Sequence, residues 1–79
     1  MKRVRCIISG DVVGVGYRAW VRRQMKVLGV TGSAENREDN TVELMAKGEQ
    51  SALEKLVALC KKGPDVAWVE RVEVTWISP

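Results

Sequence analysis

The chain has no histidine and no phenylalanine, only two cysteines and two prolines, and no apolar run approaching the roughly eighteen residues a membrane span needs. Each absence closes off a class of function. Without histidine there is no Ser-His-Asp triad, no imidazole general base and no histidine metal site. Cys6 and Cys60 stand far apart, each inside an apolar pattern, which suits buried reduced thiols better than a disulfide framework or a metal site. Neither has an evident base beside it, which argues against a thiol nucleophile. The opening Met1-Lys2-Arg3-Val4-Arg5 lacks the apolar stretch of a secretory signal, so a cytoplasmic location without membrane attachment is expected. RNA-binding sheets present stacking aromatics, and the first extended segment, Val4 to Ser9, has no ring, so no nucleic-acid partner is expected either.

What remains is 79 residues, 46% hydrophobic and 29% charged, which suits one small globular domain over residues 1–79, expected to be a monomer. The net charge of +3 is unevenly spread. Residues 1–30 carry seven Lys or Arg against Asp11, whereas residues 31–79 carry six against nine acids. A positive field over the first third would draw an anion there, although a solvated basic face explains the same charges.

Val4, Cys6 and Ile8 alternate with Arg3, Arg5 and Ser9 and predict a strand closed by Gly10. Tyr17, Trp20, Val21 and Leu28 share one helical face, and Gly29 supplies a stop. Segments 30–36 and 41–47 flank the polar turn Arg37-Glu38-Asp39-Asn40 as a hairpin, with Asn40 suited to a left-handed conformation. Leu53, Leu56, Val57 and Cys60 predict a second helix that ends at Gly63-Pro64. Val72, Val74 and Trp76 alternate with Arg71, Glu73 and Thr75 as a last strand, and their phase places Trp76 in the core beside Trp20. The order βαββαβ with right-handed crossovers makes an α+β, ferredoxin-like sandwich: a four-stranded antiparallel sheet with two helices on one face.

Between the first strand and the first helix lies Gly10-Asp11-Val12-Val13-Gly14-Val15-Gly16-Tyr17-Arg18. Free backbone N–H groups and the positive end of a helix dipole converge at such a junction, which makes it an anion site. Glycines let successive N–H groups turn inward, and Arg18 can add a two-pronged charged contact. A tight connection with glycines for geometry alone is the competing reading. Gly14-x-Gly16-x-x-Ala19 formally matches a dinucleotide fingerprint, but that fingerprint belongs to a parallel unit, and here the next segment returns as a hairpin. The nucleotide phosphate loop ends in Gly-Lys-Ser/Thr, and this loop ends in Gly16-Tyr17-Arg18.

Gly10-x-Val12-x-Gly14-Val15-Gly16-Tyr17-Arg18, Thr31-Gly32-x-x-x-Asn36 and Asp39-x-x-Val42-Glu43, with Gly63-Pro64 and Val69-Glu70-Arg71-Val72 behind them, resemble the acylphosphatase family over the whole chain. The resemblance implies a small stand-alone hydrolase that cleaves the carboxyl-phosphate bond of acyl phosphates and releases inorganic phosphate, without metal or cofactor. It implies that the backbone of Val13, Gly14, Val15, Gly16 and Tyr17, together with Arg18, binds phosphate. Arg18 and Asn36 are the catalytic pair it implies, with Asn36 orienting the water. The alternative is a phosphate-binding module with weak or lost turnover. The sequence departs from the family's usual pattern in having Val13 for Gln, Ser33 for a bulky aromatic, Glu35 for a basic or neutral residue, and Asn40 for Gly.

Overall fold

The computed structural model describes residues 1–77. Six elements follow one another: β1 (Lys2–Asp11), α1 (Tyr17–Leu28), β2 (Thr31–Asn36), β3 (Val42–Gly48), α2 (Gln50–Lys62) and β4 (Trp68–Ile77). All strand pairings are antiparallel, in the spatial order β2-β3-β1-β4, so β2 and β4 are the two edges. The expected ferredoxin-like sandwich is what forms.

Alternation along β1 sends Val4, Cys6 and Ile8 to the helix side, where Val42, Leu44 and Ala46 of β3 join them. The helices close over this layer. α1 contributes Tyr17, Val21 and Met25, and α2 contributes Leu53, Leu56, Val57 and Cys60. Ile7, an apolar residue in the polar phase of β1, faces the helix-free side with Glu43 and Glu73 as its register partners. α1 ends as its sequence demands: Gly29 is left-handed at φ 72°, and the N–H groups of Gly29 and Val30 return to the carbonyls of Lys26 and Met25. Val30 therefore belongs to the cap, and β2 begins one residue later than the hydrophobic pattern suggested. In the hairpin turn Asn40 has φ 65°, as expected of it.

Trp76 corrects the core predicted from phase, because it remains 43% exposed. It pairs with Val4 near the start of β1, on an edge strand, and lines a recess with Lys2, Gln50 and Ile77 beside the first residue of α2. Period fixes the side of a strand but says nothing of whether a helix reaches over that stretch. Trp20, at the end of the first turn of α1, does pack against the core, with its ring centroid 5.6 Å from that of Tyr17.

Candidate active site

The connection from β1 to α1 is pinned at both ends by buried side chains. Val12 is 1% exposed and Tyr17 is fully buried, its hydroxyl donating to the Cys60 carbonyl at 2.8 Å. Val13 and Val15 pack their side chains partly against the core. With these groups turned inward, what the segment can offer a ligand is its backbone. Gly14 has φ 79° and Gly16, the N-cap of α1, has φ 84°; a Cβ at either would meet nothing within 4 Å. The glycines are there for left-handed backbone rather than for space. Gly10 is different. At φ 130° it sits at a bulge against β4, and a side chain there would run into the carbonyl of Trp68.

The first hydrogen bond of α1 runs from the Trp20 N–H to the Gly16 carbonyl. Among the described residues no carbonyl or side chain accepts the N–H groups of Val13 to Ala19. No side chain caps the helix and no acid lies in its first turn, so the helix itself supplies no counter-charge to the positive end of its dipole. Tyr17 can contribute through its N–H alone, its ring and hydroxyl being committed to the interior.

Asn36 ends β2 on the helix-side face, in the register row of Val42 and Ile8, and so about 10 Å across the sheet from Ile8 at two strand spacings. β2 runs parallel to β1, and α1 returns antiparallel to both. Arg22 of α1 donates from Nη2 to the Ala34 carbonyl of β2 at 2.9 Å. Moving one turn back from Arg22 leads to Arg18, about 6 Å closer to the loop. Moving two residues on from Ala34 leads to Asn36, about 6.6 Å in the same direction. Arg18 and Asn36 therefore both lie on the loop side of the Arg22–Ala34 bond. Beside Asn36, a recess is lined by Arg37, Glu38 and Asp39 of the hairpin turn. Asp39 Oδ1 accepts the Thr41 N–H at 3.2 Å and hydroxyl at 2.6 Å, and these bonds hold its carboxyl below the usual range.

Glu35 lies on the face opposite to Asn36, directly across from Glu43, and Ser33 stands on that same helix-free face against Met45. The acid therefore points away from the loop. Cys6 and Cys60 are free and buried. Burial pushes their thiols up to about 11 and about 12 respectively, which keeps both neutral at ordinary pH.

A family model described as Acylphosphatase matches residues 4–79. The chain belongs to the acylphosphatase family. A curated acylphosphatase of Roseiflexus sp. (strain RS-1) is 44% identical over 79 residues, covering all of this chain and 85% of that protein. One from Thermus thermophilus is 45% identical over 76 residues, covering 96% and 86% of the two chains. The crystal structure of acylphosphatase from Bacillus subtilis superposes with a TM-score of 0.96 at 33% identity, over all of this chain and 88% of that one. The function is accordingly that of an acylphosphatase, a hydrolase. In this acylphosphatase-family chain the loop and Asn36 were legible beforehand as motifs. Arg22 was not: it read as one cation of a solvated face, and only its spacing of four from Arg18 could have drawn notice.

Proposed function

We propose that the phosphoryl group of an acyl phosphate sits against the N–H groups of Val13 to Tyr17, with Arg18 gripping two of its oxygens and Asn36 holding the attacking water. One observation carries the reading: the run of unclaimed N–H groups into α1, with Arg18 in its first turn and no carboxylate among them. An oxyanion supplies the acceptors that this backbone lacks, and fixed donors stabilise charge spreading over the phosphoryl oxygens without reorganisation. The amide of Asn36 offers an acceptor to one water proton while leaving the lone pair of the water oxygen free to attack.

Water oxygen bonds to phosphorus as the bond from phosphorus to the carboxylate oxygen breaks; the carboxylate departs with the electron pair, and both water protons stay with the inorganic phosphate, which gives one up to solvent as the pH dictates. A carboxylate is a good leaving group and the transition state is loose, so little proton removal is required before attack. Positioning and positive charge suffice, which suits a chain without histidine.

Purified protein should hydrolyse acetyl phosphate in the presence of a chelator, with a rate nearly flat around neutrality. A requirement for added metal, or a bell-shaped profile centred near the imidazole range, would contradict the scheme. Phosphate that protects the fold without any turnover would instead select a binding module.

A further inference from the structure

The Arg22 bond to Ala34 has no part in the chemistry above, yet it joins the two elements on which that chemistry depends. We propose that Arg22 is a positioning residue, fixing the level at which Asn36 stands against Arg18. This rests on the reading of Asn36 as the water-holding group.

β2 is poorly secured for a strand that carries a catalytic residue. It lies at a sheet edge, pairs with β3 alone, and buries one side chain, the methyl of Ala34. The β3 ladder sets its register, and α1 packs against it, but a ladder and a packed methyl fix direction less sharply than a hydrogen bond does. Among the described residues, the side-chain hydrogen bond that crosses from α1 to β2 is the one from Arg22. It is made at the carbonyl two residues before Asn36, from a side chain one turn after Arg18.

The local charges leave the guanidinium to that carbonyl. Its helical neighbours four residues away, Arg18 and Lys26, are both cations. The nearest acid of β2, Glu35, is on the other face of the sheet. A planar guanidinium donating a charge-assisted bond fixes distance and direction better than a flexible ammonium does. The loop, pinned separately by Val12 and Tyr17, does not depend on this link. Loss of Arg22 should therefore misplace the water and spare phosphate binding.

The test measures kcat and KM for acetyl phosphate, competitive inhibition by inorganic phosphate, and melting temperature in Arg22→Met, Arg22→Lys, Asn36→Ala and the Arg22→Met/Asn36→Ala double variant. Displacing a reacting group by about 1 Å can cost on the order of a hundredfold, so Arg22→Met should lower kcat by about tenfold or more while phosphate inhibition stays within about twofold. Arg22→Lys should recover part of the rate. In the Asn36→Ala background Arg22→Met should cost nothing further, because the residue acts through one already removed. Wild-type kcat in Arg22→Met would overturn the proposal, as would an equal additional loss in the double variant or a loss expressed wholly as weaker phosphate binding. If Asn36→Ala itself keeps full activity, the water-holding reading fails and this inference with it; if Asn36→Ala is impaired and Arg22→Met is not, only this inference fails.

Discussion

Val12 and Tyr17 bury completely at the two ends of the loop between β1 and α1, whereas β2, which carries Asn36, buries a single methyl. A fully buried ring contributes about 3 kcal/mol of apolar burial and a methyl less than about 1 kcal/mol. The loop is also closed by a buried hydroxyl bond to Cys60, while β2 is held by a part-buried bond from an arginine on the surface of α1. With the loop holding phosphate and Asn36 holding water, as proposed, the difference would follow from what each half must recognise. A phosphoryl group has the same shape in every acyl phosphate, so its cradle gains from rigidity. A group that holds water would then work at an open edge of the sheet, where an acyl portion can enter and leave.

The largest effect expected separates the two halves. Arg18→Ala should lower kcat/KM on the order of a hundredfold or more and also abolish stabilisation of the fold by phosphate, as followed by thermal shift. Asn36→Ala should lose turnover while phosphate still raises the melting temperature. Loss of both properties in both variants would mean that the halves are not separable.

Smaller effects probe the anchors. Tyr17→Phe leaves the Cys60 carbonyl without its donor and should cost about 1–2 kcal/mol in urea unfolding. Ala34→Gly should cost about 1 kcal/mol by the same measurement, from the lost methyl and the freer backbone. A larger loss from Ala34→Gly than from Tyr17→Phe would reverse the comparison.

Alkali tests the interior beneath the loop. The thiols of Cys6 and Cys60 ionise near 9.0 when unfolded, and in the fold are pushed up to about 11 and about 12 by burial. Above pH 9 the unfolded state binds fewer protons than the folded one, so stability should fall as pH rises from 9 toward 11. Urea midpoints at pH 8 and pH 10 check the sign, and Cys60→Ala should flatten the slope. The weakest effect belongs to the exposed turn. Asp39 is held below its usual range by Thr41, so its contribution is present above the unfolded pKa and is lost as pH falls through the lower folded value. Thr41→Val should bring the Asp39 titration, followed by NMR, back up toward the ordinary carboxylate range.

Much of this was legible in local pattern. The period of Leu53, Leu56, Val57 and Cys60 gave one buried face, and all four are buried. Gly29 and Asn40 took the left-handed conformations their chemistry allows. Trp76 was misread because alternation chooses a side of the sheet, while cover depends on where α2 begins. Arg22 carries no such signal, because a cation bound to a carbonyl twelve residues away looks, in sequence, like any other solvated charge.

The residues themselves determined the order of elements, the left-handed backbone of the glycine loop and the exclusion of histidine chemistry, since these follow from periodicity, backbone freedom and inventory. Only the tertiary structure decided that Arg18 and Asn36 lie on the same side of the link between α1 and β2, that Glu35 takes the opposite face of the sheet from Asn36, and that Arg22 reaches across to Ala34. Those are distances between elements, and they depend on strand order, register and the seating of α1 on β2, which no local run of sequence encodes.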